Sequence, residues 1–459
     1  MILNHFFGRV LQALAFTLKY HSQTLWSRNF CCKIIIMKSF AIHTLGCKTN
    51  QLESAMISDS LIKEGYQLVK FNEKADFYII NTCSVTAKSD SESMYYIRKA
   101  KRTNPDAKII VTGCLAQLKP EEIEADIILG NAQKQDLLEY MEAGKGFVSD
   151  IMDETEFRYK KVFSNEGKTR ANIKIQDGCN NRCTYCIIPY ARGKSRSNSV
   201  QNILEQIQIY TEQGFKELVL TGIHIGQWGK DFSPEMTFLD LLSEIEKNTT
   251  ARIRLGSLEP NEINDELIDF LANSDKFAHH LHISLQNAND EILKLMNRHY
   301  NIFYVKKIME KLKSKMPDIS LGCDVITGFP TETDEQFKNG LKNLQEMPFS
   351  YMHIFPYSVR EGTPAAKMEQ VQDSTKTIRA KALRELAKSK KENFITNLIG
   401  QNLEVLVENK RDKSGKLKGI SSNYLQVVFD GGEELKKTII PINAVGFEAD
   451  IVLGKVSTK

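Results

Sequence analysis

The fold is decided by the stretch Asp177-Gly-Cys-Asn-Asn-Arg-Cys-Thr-Tyr-Cys-Ile-Ile-Pro-Tyr-Ala-Arg-Gly193. It places Cys179, Cys183 and Cys186 in a C-x3-C-x2-C spacing directly after an apolar run. Three thiols crowded into one loop are poor core packing, but thiolates are good ligands for a soft metal. A structural zinc site needs four ligands, whereas a four-iron cluster held by three thiolates leaves one iron open. The spacing therefore predicts an iron–sulfur cluster that can bind a further ligand.

The length and composition describe a multidomain globular protein. A chain of 459 residues suggests two or three domains. The net charge of +4 permits a nucleic-acid partner without requiring one. Nine cysteines in a chain of this length are not a secreted disulfide framework, and they point to metal binding or catalysis. No apolar run approaches the roughly 18 residues that span a bilayer, so we predict a cytoplasmic protein without a membrane partner.

Residues 1–36 differ from the rest because they are basic, contain no acidic residue and include several aromatic side chains. Such a segment is typical of an organellar transit peptide. The alternative is an upstream start, with Met37 as the natural initiator, and we favour it. Cys31 and Cys32 lie in this segment and are expected to be incidental.

From Met37 onward, short β-rich runs alternate with amphipathic helical segments. This alternation predicts an open parallel sheet covered by helices on both faces, and we place this first domain at residues 37–145. The predicted strands are Phe40–Leu45, Phe77–Ile80 and Lys108–Thr112, and the predicted helices are Gln51–Glu64 and Ala87–Lys101.

Three more cysteines, Cys47, Cys83 and Cys114, each follow one of these strands closely. The carboxyl ends of parallel strands share one edge of a sheet, where ligands bind. One cysteine there would be ordinary packing, but three with the same placement favour a second metal site. Gly46 and Gly113 suit the tight turns that such a site needs.

A charged linker over residues 146–170 precedes a second series of strand–helix units at residues 171–396. Six units predict a partial α/β barrel, the (β/α)6 form, with its active site at the carboxyl ends of the strands. The predicted strands are Ala171–Gln176, Glu217–Thr221, Arg252–Gly256, His280–Leu285, Ile319–Ile326 and Tyr351–Phe355. The predicted helices are Ser199–Gln213, Phe238–Lys247, Asn261–Asn273, Ile302–Lys313, Asp334–Glu346 and Ser374–Asn393.

Two features of the barrel strands are assigned a structural role. His279, His280 and His282 alternate along one predicted strand, and Cys323 lies inside another, where a free cysteine is expected to be buried and inert.

Residues 397–459 change to short strands with Gly/Asp turns, which predicts a small β-barrel. The predicted fold class is therefore α/β with a carboxy-terminal β-barrel.

The cysteine motif, with Tyr185 directly before the last cysteine, resembles the signature of the radical S-adenosylmethionine superfamily. The continuation Ile187–Gly193 and the segment Leu45–Gln51 resemble its methylthiotransferase branch. The resemblance implies two 4Fe-4S clusters, one on each cysteine triad, and S-adenosylmethionine as a further cofactor. The catalytic residues would be Cys179, Cys183 and Cys186. The implied cofactor contacts are Tyr185, Thr221, Gly222, Ser257, Glu259, Ser284, Gln286 and Asp324. Polar groups and glycines at strand ends are also common turn chemistry.

The resemblance also implies a tRNA partner, because the terminal barrel is similar to the RNA-binding barrel of tRNA methylthiotransferases. Basic side chains that neutralise phosphates are the expected contacts, although a solvated helix face is the alternative for the run from Lys376 to Lys391. The candidate RNA contacts are Arg192, Lys194, Arg196, Lys410, Arg411, Lys413, Lys416 and Lys418, with Tyr424 beside them.

The predicted function is therefore methylthiolation at C2 of N6-threonylcarbamoyladenosine at tRNA position 37. This reaction needs a one-electron reductant and a sulfur source as further partners. Isopentenyladenosine in tRNA and an aspartate of a ribosomal protein are alternative substrates. An alternative of another class is a non-enzymatic iron–sulfur protein that binds RNA or transfers electrons, but that protein would use four ligands per cluster and no fourth cysteine is evident for either triad.

Overall fold

The computed structural model describes residues 37–164 and 167–457. The amino-terminal extension at residues 1–36, with Cys31 and Cys32, lies outside the described residues. The described chain contains a five-stranded sheet, two parallel sheets of three and four strands, a two-stranded ribbon and a closed barrel. Among the described helices, none combines the length and apolar character that a membrane span requires.

The amino-terminal sheet is parallel throughout and has the strand order β2-β1-β3-β4-β5. Its central strand is buried on both faces, because Tyr78 and Ile80 pack into one core while Phe77 and Ile79 pack into the other. The predicted open α/β domain is confirmed, and the two-residue edge strands are additions. The strands are β1 (Ser39–Thr44), β2 (Gln67–Leu68), β3 (Phe77–Thr82), β4 (Lys108–Gly113) and β5 (Ile127–Ile128). The helices are α1 (Lys48–Lys63), α2 (Ala87–Thr103), α3 (Cys114–Leu118) and α4 (Leu137–Ala143).

The central domain is a partial parallel barrel whose strands lie in two sheets, β10-β9-β6 and β11-β12-β13-β14. The chain passes from one sheet to the other at Leu255-Gly256, between β10 and β11, so the third predicted strand, Arg252–Gly256, ends two residues early and a further short strand follows it. The strands are β6 (Ala171–Lys174), β9 (Glu217–Thr221), β10 (Arg252–Arg254), β11 (Ser257–Leu258), β12 (His280–Gln286), β13 (Ser320–Thr327) and β14 (Tyr351–Pro356). The antiparallel ribbon pairs β7 (Gln176–Asp177) with β8 (Arg196–Ser197).

Helices cover the outside of this barrel and begin at specific caps. Thr237 and Thr333 accept a hydrogen bond from the amide three residues later and complete capping boxes, which satisfies helix N–H groups that have no partner within the helix. The helices are α5 (Ile188–Arg192), α6 (Val200–Glu212), α7 (Phe238–Asn248), α8 (Asp265–Asn273), α9 (Asp290–Leu295), α10 (Ile302–Lys315), α11 (Asp334–Glu346) and α12 (Asp373–Thr396).

The carboxy-terminal strands close into a barrel in the order β15-β16-β17-β19-β18, as predicted. Arg252 and Arg254 of β10 attach it to the central domain, because they donate to the carbonyls of Glu404, Ser421 and others while both contact the buried Glu217. The strands are β15 (Asn402–Val407), β16 (Leu417–Ser421), β17 (Gln426–Phe429), β18 (Ile439–Glu448) and β19 (Ile451–Val456).

Candidate active site

The first cysteine triad lies in the loop between β7 and α5, at the carboxyl edge of the barrel. The amide of Cys179 donates to the carbonyl of Gly193 at 3.1 Å, which closes the loop on itself. Gly178 has a φ of +70°, and a Cβ there would lie 1.9 Å from the carbonyl oxygen of Lys194. Only glycine fits this position, so the shape of the loop depends on residues within the loop itself.

Gln176 ties this loop to the next strand end of the barrel. Its side-chain nitrogen donates to the carbonyl of Gly178 at 2.7 Å, and its oxygen accepts from the amides of Ile223 at 3.1 Å and His224 at 2.8 Å. The turn after β9 and the cysteine loop are therefore held by one buried amide, which fixes their spacing.

Two cysteines of this loop have a charged or ionisable neighbour. A guanidinium nitrogen of Arg298 lies 3.2 Å from the sulfur of Cys183, and the same group contacts Glu259 at 2.7 Å. His224 lies 3.5 Å from the sulfur of Cys179 and 2.6 Å from Glu262. Burial on its own lowers the pKa of His224, but the contacts with Cys179 and Glu262 outweigh it and raise the pKa to about 10. Cationic donors beside sulfur stabilise the thiolate form that binds metal.

The second triad is assembled from three separate loops of the amino-terminal sheet. Cys47 precedes α1, Cys83 follows β3, and Cys114 follows β4 directly. Asn50 joins two of these loops, since its side-chain nitrogen donates to the carbonyls of Leu45 at 2.8 Å and Thr82 at 2.9 Å. The predicted convergence at one sheet edge is thus fixed by a buried amide.

The loop of Cys114 is held by close backbone packing. Gly113 has a φ of +98°, and a Cβ there would lie 2.4 Å from the carbonyl oxygen of Thr82. The hydroxyl of Thr82 donates to the carbonyl of Thr112 at 2.6 Å and accepts from the amide of Leu115 at 3.2 Å. Strands β3 and β4 therefore approach each other with no room for a larger residue.

Both triads fit a cluster better than a single ion. The described residues contain one group of His, Cys, Asp or Glu side chains whose donor atoms all lie within 4.8 Å of one another, namely His282, Asp324 and His353. Neither cysteine triad meets this limit, although a tetrahedral zinc ion with Zn–S bonds of about 2.3 Å would bring its sulfurs to roughly 3.8 Å. All six cysteines are free thiols. Three soft donors at each site, whose sulfur atoms do not all lie within 4.8 Å of one another, suit an iron–sulfur cluster with three protein ligands.

A buried ion network lies between the two triads and joins the two domains. Glu53 of α1 contacts Lys134, Lys174 and Arg192 at 2.5, 2.6 and 2.9 Å, and Asp177 contacts the last two at 2.7 and 3.0 Å. Burial alone raises the pKa of Glu53, but the three cations outweigh it and hold the pKa well below its usual range.

This network carries an excess of positive charge. Arg196 adds a fourth cation at 3.7 Å from Asp177, so four cations face two carboxylates. Arg192 and Lys134 also act on Cys114, where they oppose the dominant effect of burial, which raises the pKa of that thiol. Buried positive charge at this position favours an anionic group such as a thiolate-bound cluster.

The structure corrects the predicted RNA contacts at Arg192 and Arg196. Both guanidinium groups are buried, at 1% and 5% exposure. Arg192 binds Glu53 and Asp177, and Arg196 donates to the carbonyl of Arg192 at 2.9 Å. Arg192 is structural because Glu53, 139 residues away in sequence, meets it at the domain contact, and Arg196 is structural because it donates to the carbonyls of Arg192 and Glu154.

The other predicted basic contacts fall into two groups. Lys194, Lys410 and Lys413 are exposed. The remaining three are partly engaged in ion pairs: Arg411 with Glu433, Lys416 with Asp430, and Lys418 with Glu408. In α12 the same division occurs, since Lys376 and Arg379 are buried while Arg384 and Lys388 are exposed.

The predicted S-adenosylmethionine contacts lie around the first triad. Tyr185, Gln286 and Asp324 line one cavity of about 290 Å³ together with Cys186. Glu259 lies beside Cys183 through Arg298, as described above. These residues are grouped at one face, although each stays a prediction as a cofactor contact.

The remaining predicted contacts are more varied in their surroundings. The carbonyl of Ser284 accepts from Arg298 at 2.7 Å, and the carbonyl of Thr221 accepts from the amide of Ile175 at 2.9 Å. Gly222 lies against the backbone of Gln176. Ser257 lines a different cavity, inside the barrel.

That interior cavity, of about 250 Å³, brings the predicted contacts Ser257, Asp324 and Tyr424 together with side chains that the sequence had assigned a structural role or none, among them His280, His282 and Tyr351. The hydroxyl of Tyr351 lies 2.7 Å from Nε2 of His280 and 3.0 Å from Nδ1 of His282. Asp324 then contacts His282 at 3.1 Å and His353 at 3.3 Å. We call these five residues the lumen network, and we call the cavity that they line the lumen cavity. Alternation along β12 indicated that His280 and His282 share a face, but only the barrel curvature shows that this face is interior.

Three cavities adjoin through shared side chains. The lumen cavity shares Asp324 with the cavity of Cys186, and it shares Tyr351, His353 and Tyr424 with an outer groove of about 580 Å³. The outer groove is also lined by Arg384, Lys388 and Lys391 of α12. A basic surface is thus continuous with the interior of the barrel and with the first triad.

Two family profiles match the chain. The Radical SAM superfamily profile matches residues 173–344, and the profile of Uncharacterized protein family UPF0004 matches residues 39–130. Among solved structures, the radical S-adenosylmethionine methyltransferase TsrM from Kitasatospora setae is similar in fold, with a TM-score of 0.53 at 13% identity over 72% of this chain and 77% of that chain. Fold and site together define a radical S-adenosylmethionine enzyme.

Curated relatives give the family. The threonylcarbamoyladenosine tRNA methylthiotransferase MtaB of Bacillus subtilis is 39% identical over 88% of this chain and 93% of its own length. The protein of the same name from Rickettsia prowazekii is 42% identical over 80% of this chain and 87% of its own. A tRNA-2-methylthio-N(6)-dimethylallyladenosine synthase of Aquifex aeolicus is 35% identical over 89% and 96%.

The chain belongs to the radical S-adenosylmethionine tRNA methylthiotransferase family. It is a transferase, and its cofactors are S-adenosylmethionine and 4Fe-4S clusters, two in number. The predicted enzyme class, cofactors and tRNA partner are therefore confirmed.

Proposed function

We propose that the chain adds a methylthio group to C2 of N6-threonylcarbamoyladenosine at position 37 of tRNA. In this proposal Cys179, Cys183 and Cys186 hold the cluster that binds S-adenosylmethionine, and Cys47, Cys83 and Cys114 hold the second cluster. The observation that carries the proposal is the pairing of two open cysteine triads across one buried ion network. The relatives with the threonylcarbamoyl name, up to 42% identical, favour this adenosine over the dimethylallyl one.

The chain's own residues would position the reacting groups. When bound, the clusters and S-adenosylmethionine supply the radical that removes the C2 hydrogen, and the sulfur and methyl group that replace it. Gln176 and Asn50 hold the two sets of cysteine loops at fixed positions. Arg298 and His224 place donors against the sulfurs of the first triad. Such fixed donors cost no reorganisation during the reaction.

The outer groove is the proposed route by which RNA reaches the site. Arg384, Lys388 and Lys391 line it and supply charge for phosphates. Tyr424 belongs both to the groove and to the lumen cavity, where its ring packs against the Arg254 guanidinium and the His280 ring, and such an aromatic cluster is a surface against which a base can pack. Lys194, Lys410 and Lys413 stay proposed phosphate contacts because they are exposed.

A one-electron reductant and a sulfur source complete the proposed partners, and the proposed location is the cytoplasm, where tRNA is modified. The boundaries at residues 37–145, 146–170, 171–396 and 397–459 are likewise proposed as domain limits.

The test is nucleoside mass spectrometry after anaerobic reaction of the reconstituted enzyme with S-adenosylmethionine and dithionite. Two anticodon stem-loop RNAs are supplied, one with threonylcarbamoyladenosine and one with dimethylallyladenosine at position 37. We expect the methylthio product from the first RNA. Methylthiolation of only the second would overturn the substrate, and absence of 5′-deoxyadenosine would overturn the radical reaction.

A further inference from the structure

We propose that the lumen cavity binds the carboxylate of the amino-acid substituent on N6 of the target adenine, with Lys48 and His353 as its hydrogen-bond donors. The inference rests on the proposed function and deepens it, because it names the residues that select the acidic substituent. Within the adenine ring, C2 and the carbon that bears N6 both flank N1. A pocket for the N6 substituent must therefore lie beside the place where C2 reacts.

The cavity has the position that this role requires. Lys48 lines it and directly follows Cys47 of the second triad. Asp324 lines both this cavity and the cavity of Cys186 in the first triad. A group bound in the cavity therefore lies between the two sets of cysteines, with a route outward past Tyr424.

The carboxylates in and near the cavity are already paired with histidine or arginine side chains. Asp324 accepts from His282 at 3.1 Å and from His353 at 3.3 Å. The Glu217 carboxylate forms ion pairs with Arg252 at 2.6 Å and Arg254 at 2.9 Å, and Arg170 lies 4.0 Å from it. Of these arginines, Arg254 lines the cavity, and one carboxylate among three guanidinium groups leaves net positive charge beside it.

Lys48 is a cation that lines the cavity and makes no close ion pair with a described residue. Within residues 37–164 and 167–457 its ammonium has no ion pair or hydrogen bond, and its side chain is exposed to the concavity. His353 is also accessible, with 54% of its side chain exposed. Two accessible donor groups on separate elements, α1 and β14, line this one cavity and can both donate charge-assisted hydrogen bonds to a carboxylate.

The same groups disfavour an apolar substituent. A dimethylallyl group placed here would cover the ammonium of Lys48 and the polar lumen network without offering any hydrogen-bond acceptor. Buried polar groups left without partners give strong discrimination against the ligand that lacks them. The lumen cavity therefore separates the threonylcarbamoyl substrate from the dimethylallyl one.

The test is equilibrium binding by fluorescence anisotropy, with the reconstituted enzyme and no reductant. Two stem-loop RNAs differ only at the N6 substituent of adenosine 37: one carries the threonylcarbamoyl carboxylate, and the other carries its primary carboxamide. We expect wild-type enzyme to bind the carboxylate RNA about tenfold more tightly, the effect of one charge-assisted contact. His353→Phe and Lys48→Met are expected to reduce this ratio to about two or less.

Three further variants or measurements keep the test decisive. His353→Lys keeps a side-chain donor at this position and is expected to keep the preference, whereas replacing His43, whose ring stacks on Tyr96 outside the cavity, by phenylalanine is expected to leave the ratio unchanged. Iron content is measured in Lys48→Met because its neighbour is Cys47. If that variant loses iron, the affinity ratio of His353→Phe is used as the test of the pocket instead.

The outcomes separate the inference from the proposed function. An equal affinity of wild-type enzyme for both RNAs, or an unchanged ratio in His353→Phe, would overturn the carboxylate pocket even if methylthiolation is observed. A ratio abolished by a chelator, together with a divalent ion bound by His282, Asp324 and His353, would replace direct recognition by a metal site. If neither RNA is methylthiolated yet the ratio holds, the pocket stands and the proposed reaction fails.

Discussion

The two cysteine triads offer similar ligands for a cluster, but they are assembled in different ways. Cys179, Cys183 and Cys186 share one loop, which Gly178 and Gln176 hold in shape. The triad of Cys47, Cys83 and Cys114 comes from three loops that meet only when the amino-terminal sheet has formed. The first site is therefore a property of a short sequence, and the second is a property of a topology. This difference predicts different responses to mutation.

The largest effect on the reaction products is expected from two single variants, each of which removes one cysteine from a different triad. Cys183→Ala should abolish 5′-deoxyadenosine formation, because the proposed cofactor-binding cluster loses a ligand. Cys83→Ala should retain 5′-deoxyadenosine and lose the methylthio nucleoside. Both products are measured by liquid chromatography and mass spectrometry in the same reaction. Equal loss of both products in Cys83→Ala would mean that the triads do not have separate tasks.

The next effect concerns the contact between the two regions. Arg192→Leu leaves Glu53 and Asp177 short of a buried partner, and breaking a buried ion pair costs about 3–5 kcal/mol. Denaturant unfolding followed by circular dichroism measures the change in free energy of unfolding. Arg384→Leu is the matched control, because this exposed arginine has no ion pair in the described residues, and it should change stability by no more than about 0.5 kcal/mol. Similar values for the two variants would refute the structural role of the network.

A smaller effect tests the local character of the first triad. Gly178→Ala brings a methyl group 1.9 Å from the carbonyl oxygen of Lys194, so the loop must shift. We expect iron at the first triad to be lost while the second is kept. Gly214→Ala also has a positive φ, of +84°, but meets nothing within 4 Å, and it should keep full iron content at a cost of about 1 kcal/mol. Retained iron in Gly178→Ala would contradict the loop account.

The smallest effect is expected at the surface. Lys410→Ala and Lys413→Ala should each weaken RNA binding about equally for all sequences and reduce the slope of log affinity against log salt by about 1. Lys307→Ala, an exposed lysine of α10, should leave the slope unchanged. Salt titration of stem-loop binding measures all three. An unchanged slope in both barrel variants would remove the terminal barrel from the RNA surface.

The sequence predicted the elements that local pattern determines. The helix at Asp334–Glu346 has its predicted bounds because Thr333 and Gln336 form a capping box. Strand-end cysteines were found because parallel strands end at one edge. Even so, α1 begins at Lys48, three residues earlier than predicted, because the loop after Cys47 leads straight into the helix.

Long-range partners could not be predicted in the same way. Arg192 resembles an RNA contact in sequence because it stands beside other basic residues, but in the structure it is buried against Asp177 and against Glu53, which lies 139 positions away. His282 and His353 belong to different strands, and their common contact with Asp324 depends on the curvature of the barrel. A charge balance between distant residues has no signal in one sequence, although the position of His282 on alternate strand residues could have prompted the question.

Iron and sulfide analysis with Mössbauer spectroscopy tests the central claim most directly. The proteins compared are the reconstituted wild type and two triple variants, one with Cys47, Cys83 and Cys114 replaced by alanine and the other with Cys179, Cys183 and Cys186 replaced. We predict that each variant keeps half of the wild-type iron as one 4Fe-4S cluster. Full iron content in either variant, or none in both, would contradict two independent cluster sites.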